Sequence, residues 1–121
     1  MKPRVLIVDD VQGNIRVMME ILGQSYETSV ATNGMDALCA VAAGKPDLIL
    51  LDVVMPGMDG YEVCARLKGD VSTRDIPVIF VTGKNASEDQ GKGLAVGAVD
   101  FIQKPPLPHE LLERIKTHLP I

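Results

Sequence analysis

The sequence predicts an α/β protein: one parallel sheet of five strands with helices packed on both of its faces. Three observations carry that prediction. Residues 5–8, 48–51 and 78–81 are unbroken apolar runs of strand length, the pattern of strands covered on both sides. Segments with helical spacing of apolar residues separate them. Strand and helix alternate five times with short connections, which builds a parallel sheet through right-handed crossovers.

Each element has its own justification. The first strand is residues 5–8. A helix over residues 14–22 follows, because Ile15, Met18, Met19 and Leu22 fall at the offsets of one helical face. A second strand is expected over residues 28–31. Asn33-Gly34 then starts a helix over residues 35–43, and Gly44 with Pro46 ends it before the strand at 48–51. Asp59-Gly60 opens a helix over residues 60–68, and the fourth strand is 78–81. Ser87-Glu88-Asp89-Gln90 has the form of a capping box opening a fourth helix. Gly91 and Gly93 inside that helix each cost about 1 kcal/mol relative to Ala, which places the segment at the low-stability end of the fold. A weaker strand at 99–102 precedes a last helix beginning at Leu107 or Pro108, with Leu111, Leu112, Ile115 and Leu119 on one face.

The chain of 121 residues is expected to be one domain, residues 1–121. With 46% hydrophobic and 23% charged residues it can bury a core without disulfide or metal staples. A net charge of −4 argues against direct nucleic-acid binding. Only 3% of residues are aromatic and none is Trp, so there is no stacking platform for single strands. No apolar run approaches the ~20 residues that span a membrane, and the first residues lack a signal-peptide core, so a cytoplasmic location is expected. Cys39 and Cys64 form no C-x-x-C and are expected to be partly buried thiols on helices. His109 and His118 are expected on the surface of the last helix.

In an open sheet of this kind ligands bind beyond the carboxyl ends of the strands. Those positions hold Asp9 and Asp10 after the first strand, Asp52 after the third, Thr82 after the fourth and Lys104 after the fifth. An Asp after a strand is commonly a turn former, and Asp10 is placed to cap the first helix. Three carboxylates gathered at one edge, however, repel one another and raise each other's pKa. A hard cation removes that cost, and Mg²⁺ commonly sits between one or two carboxylates and a phosphate. One Asp is then free to act as nucleophile toward phosphorus. The metal, a Lys ammonium and a Thr hydroxyl can stabilise the phosphoryl oxygens. On this reading Mg²⁺ raises the melting temperature, and Asp10→Asn stabilises the metal-free form.

Four motifs carry a resemblance that covers nearly the whole chain. They are Val8-Asp9-Asp10, the run Leu51-Asp52-Val53-Val54-Met55-Pro56-Gly57-Met58-Asp59-Gly60, Val81-Thr82-Gly83, and Gly97-Ala98-Val99-Asp100-Phe101-Ile102-Gln103-Lys104-Pro105. In these the sequence resembles the receiver domains of two-component response regulators. The resemblance implies a flavodoxin-like (CheY-like) doubly wound sheet of order 2-1-3-4-5 with five helices. It further implies that Asp52 accepts a phosphoryl group from the phosphohistidine of a sensor histidine kinase or phosphotransfer protein. Asp9, Asp10, Asp52 and the backbone carbonyl of Val54 would bind Mg²⁺, with Mn²⁺ as a substitute. Thr82 and Lys104 would contact phosphoryl oxygens, and Gly83 fits a place where bulk would block the group.

Also implied are a switch in which Phe101 turns inward as Thr82 moves, a cis Lys104–Pro105 peptide, and tuning of phosphate lifetime by positions 54 and 84, here Val54 and Lys84. Pro106 departs from the bulky apolar residue usual in the family. The fourth helix would repack on phosphorylation. Output would pass to an effector protein or to an output domain absent from this chain. The run from Arg114 to Leu119 looks like receivers that continue into cyclic-dinucleotide enzymes. A homodimer would form through the fourth helix, fifth strand and fifth helix, with Asp100, Arg114 and Lys116 available to serve it. The domain would be a signalling phosphoacceptor that assists its own phosphorylation and dephosphorylation, not an enzyme. A Mg²⁺-dependent haloacid dehalogenase-type phosphatase would need a D-x-D after the first strand, which is missing. A flavodoxin-like FMN carrier would need a Ser/Thr/Gly phosphate cradle where this chain has acid.

Overall fold

A computed structural model describes residues 2–83 and 86–119. Its elements alternate as the sequence predicts: β1 (Arg4–Val8), α1 (Gln12–Leu22), β2 (Glu27–Ala31), α2 (Gly34–Ala43), β3 (Leu48–Leu51), α3 (Gly60–Lys68), β4 (Val78–Thr82), α4 (Ala86–Ala95), β5 (Asp100–Gln103) and α5 (Pro108–His118). The five strands form one sheet of order β2-β1-β3-β4-β5, and every pairing is parallel.

Alternate residues of the central strands feed two cores. Leu6, Val8, Ile49, Leu51, Val78 and Phe80 pack with Ala37 and Val41 of α2 and Val63, Cys64 and Leu67 of α3. Val5, Ile7, Leu48, Leu50, Ile79 and Val81 point the other way, onto Ile15, Met18 and Leu22 of α1 and Leu111 and Ile115 of α5. The sheet is thus wound on both faces. This is why β1, β3 and β4 contain no alternation: a polar residue on either side would be buried without a partner.

Local chemistry sets the ends of the helices. Asn33 Oδ1 accepts the Asp36 N–H at 2.8 Å and Asp59 Oδ1 accepts that of Glu62 at 2.9 Å, so both expected helix starts carry side-chain caps. Pro108 occupies the first turn of α5. Several details differ from the sequence reading. Helix α1 starts at Gln12 instead of residue 14. Met19 is 41% exposed, because at 100° per residue it lies at the margin of an arc centred between Met18 and Leu22. Helix α4 starts at Ala86, so Ser87 lies inside its first turn instead of before it. Strand β5 begins at Asp100, leaving Val99 exposed ahead of it.

The cysteines and histidines also separate. Cys39 is exposed while Cys64 is fully buried, and burial pushes the Cys64 thiol up to about 11, so it behaves as a small hydrophobe. His109 is exposed, but His118 is half-buried with its Nε2 2.9 Å from Asp100 Oδ2. Among the described residues no helix is long and apolar enough to cross a membrane.

Candidate functional site

Strand register places the site. Val8 of β1 pairs with Leu51 of β3, which pairs with Phe80 of β4, so these chains leave the sheet at one edge. Asp9 and Asp52 each come one residue after their strand. The residues beyond the strands are still tied to their neighbours: Asp9 N–H to Ala31 O at 3.1 Å, Asp52 N–H to Val8 O at 2.9 Å, and Lys104 N–H to Thr82 O at 2.8 Å. The side chains are therefore projected from a hydrogen-bonded frame instead of from free loops.

The carboxylates converge. Asp9, Asp10 and Asp52 offer oxygens that all lie within 4.8 Å of one another. Asp9 is fully buried, Asp52 nearly so, and Asp10 is exposed. Lys104 reaches between the two buried acids, its Nζ 2.6 Å from Asp9 Oδ2 and 3.1 Å from Asp52 Oδ2. The other oxygen of Asp9 accepts the Val11 N–H at 2.9 Å. Asp10 does not cap α1; the cap position is Val11, with no side-chain acceptor, and Asp9 serves the nearby backbone instead.

Burial raises the Asp52 carboxyl above the ordinary carboxylate value, and the charge of Asp9 adds to that. The Lys104 hydrogen bond and charge and the Val54 backbone N–H pull the other way without cancelling it. Among the described residues three acids face one ammonium, which leaves the pocket electronegative. An all-oxygen donor set with uncompensated negative charge is what a hard divalent cation accepts.

Thr82 is the last residue of β4 and is fully buried at the same edge. A Cβ at Gly83 would meet no atom within 4 Å. The Val54 side chain is 52% exposed, and the Lys104–Pro105 peptide is cis. Phe101 is half-buried, its ring centroid 6.4 Å from that of Phe80. Lys84 lies outside the described residues. The arrangement thus unites Asp9, Asp10, Asp52 and Lys104, puts Thr82 beside them, and sets Phe101 farther along β5. Asp100 and Arg114, expected to be available to a second copy, are paired with each other within the chain.

Of two further residues, Tyr61 escapes the sequence reading and Gly60 is read there only as a helix start and part of a motif. Gly60 donates its N–H to Val53 O at 2.8 Å, and a Cβ there would collide with Asp52 O and stand 2.9 Å from Val53 Cα. Gly60 therefore closes the loop that carries Asp52, beyond merely following a helix cap. Tyr61, next along, stacks edge-on against Phe80 with centroids 5.4 Å apart. The rarity of aromatics in this chain was the available signal.

A doubly wound parallel sheet with an acid-lysine pocket at the carboxyl ends of its strands defines a switch-point fold, whose ligands bind at that edge. Comparison with known proteins places the chain within that class: residues 5–116 match the response regulator receiver domain, and the chain belongs to that family. It is 46% identical over 106 residues to the response regulator PleD of Caulobacter vibrioides, covering 87% of this chain and 23% of that protein. It is 46% identical over 115 residues to a Vibrio cholerae protein named a probable cyclic di-GMP phosphodiesterase, covering 95% of this chain and 26% of that one. The chain therefore spans about a quarter of the length of these relatives. The structure of the chemotaxis response regulator CheY4 of Vibrio cholerae superposes with a TM-score of 0.91 at 29% identity, covering 98% of this chain and 100% of that one.

Proposed function

We propose that residues 1–121 act as one phosphoacceptor domain in which Asp52 takes a phosphoryl group from the phosphohistidine of a sensor histidine kinase or phosphotransfer protein. One observation carries the reading: Asp52 is held at the strand edge within reach of Lys104, with the carboxylates of Asp9 and Asp10 within 4.8 Å. A carboxylate oxygen of Asp52 attacks phosphorus, the P–N bond breaks, and the imidazole departs with its electron pair, leaving an acyl phosphate. Asp9, Asp10, Asp52 and the Val54 carbonyl would hold Mg²⁺, or Mn²⁺ with the same oxygen preference. Bound there, the ion supplies positive charge against the phosphoryl oxygens. Lys104 moves from pairing two carboxylates to pairing a phosphoryl oxygen, and the Thr82 hydroxyl contacts another.

Phe101 turns inward as Thr82 shifts, and the altered α4-β5-α5 face is read by an effector, by an output domain or by a second copy of this chain. The name of one relative, a probable cyclic di-GMP phosphodiesterase, supports an output of cyclic-dinucleotide chemistry, whereas the relatives named DNA-binding response regulator MtrA carry a different one. The domain catalyses only its own loading and unloading, and works in the cytoplasm. Incubation with acetyl phosphate and Mg²⁺, followed by mass analysis, tests the reading. One phosphoryl group is expected, absent without the metal and absent in Asp52→Asn. Sustained turnover of small phosphate esters would mark a phosphatase instead.

A further inference from the structure

Helix α4 is seated on the sheet by a glycine. Across residues 91–95 Gly93 alone is buried, while Leu94, the largest apolar side chain there, is 52% exposed. A Cβ on Gly93 would stand 2.9 Å from Phe80 Cδ2 and 3.2 Å from Cε2, with Phe101 Cδ2 at 3.7 Å. Gly91, two residues earlier, has nothing within 4 Å of that position. The two helix-weakening glycines are therefore unlike: one is spare, the other lets the α4 backbone lie directly on a ring.

That ring cannot easily yield. Phe80 is fully buried, edge-packed on Tyr61 at 5.4 Å and tilted against Phe101 at 6.4 Å. These are three of the chain's four aromatic residues. Lys92 of α4 places its Nζ 5.9 Å from the Tyr61 ring centroid, a second contact from the same helix. Tyr61 directly follows Gly60, the residue that closes the Asp52 loop.

We propose that Gly93 on Phe80, with Lys92 over Tyr61, is a latch that holds α4 in the unloaded position, and that the row Tyr61–Phe80–Phe101 couples its release to the loading of Asp52. The coupling rests on the reading of Asp52 as phosphoacceptor. The row is a packed chain of rings with one end at the Asp52 loop and the other under α4. A shift of Tyr61 or Phe101 that moves Phe80 removes the surface on which Gly93 sits. Beyond Gly93, α4 has little buried side chain between 91 and 95 to keep it in place.

Amide exchange in the metal-free protein tests the latch. Gly93→Ala should speed exchange of residues 94–98 by about tenfold, Phe80→Leu in the same chain should restore slow exchange by making room, and Gly91→Ala should slow it. Exchange in Gly93→Ala as slow as in the parent overturns the latch. Calorimetric titration with beryllium fluoride and Mg²⁺, which mimic a phosphoryl group on a carboxylate, tests the coupling. Because coupling is reciprocal, a weakened latch should tighten that binding by about fivefold or more. Equal affinity in parent and Gly93→Ala overturns the coupling. Absence of binding by the parent removes the acceptor reading and the coupling with it, and leaves the exchange result to judge the glycine seat.

Discussion

Asp9 is the least exposed acid in the pocket, and Lys104 is the cation that makes its burial tolerable. Lys104→Met should therefore destabilise the metal-free protein by about 3 kcal/mol at pH 7, since an unpaired buried charge is left behind; urea unfolding measures it. Asp52→Asn should do the opposite. Its carboxyl sits above the ordinary value of 3.8 in the folded state, so the folded protein binds the extra proton in the window above that value. Stability contributed by Asp52 is thus gained as pH falls through the raised pKa and lost as pH rises. At neutral pH Asp52→Asn raises the melting temperature, and the advantage over the parent shrinks on acidification. The sequence predicts the same relief for Asp10→Asn, and the burial of Asp52, which sequence does not reveal, adds this second position. The strand-end residues were legible because the fold hypothesis alone brings them to one edge. The pairing of Lys104 with two acids at once was not, since it depends on side-chain reach. Lys84→Ala is expected to change the decay time of the phosphoprotein, followed by mass; an unchanged rate removes Lys84 from lifetime control.

Elements buried on both faces, β1, β3 and β4, announce themselves as apolar runs, whereas the edge strands β2 and β5 are read less sharply. In β2 Ser29 and Val30 are exposed, and at β5 the apolar Val99 belongs to the turn. Helix α3 depends on one cap, so Asp59→Ala should cost about 1 kcal/mol in urea unfolding. The end of α5 is fastened by Asp100, which accepts Phe101 N–H and binds Arg114 and His118. Burial pushes the Asp100 carboxyl up, but these hydrogen bonds together outweigh it and hold the group below the ordinary value. Its contribution is present above the unfolded pKa and lost as pH falls through the folded one. The stability difference between parent and Asp100→Asn should therefore vanish in acid. What sequence could not disclose is why α4 contains Gly93. The reason is a ring on another element, visible only once both are in place.

For the whole molecule, Mg²⁺ is expected to raise stability by mass action, about 2.7 kcal/mol at a concentration one hundred times its dissociation constant. Calorimetric melting with and without the ion reads this, and Asp9→Asn should flatten the response. The bonds Asp9 N–H to Ala31 O, Asp52 N–H to Val8 O and Lys104 N–H to Thr82 O prolong the same ladders that zip the strands. The pocket's side chains are thus anchored in the same hydrogen-bonded ladders as the scaffold. A strand misaligned by one residue would turn its side chains to the opposite face and scatter the acids. On the reading of Asp52 as phosphoacceptor, the fraction of a preparation able to take up a phosphoryl group doubles as a census of molecules free of that slip.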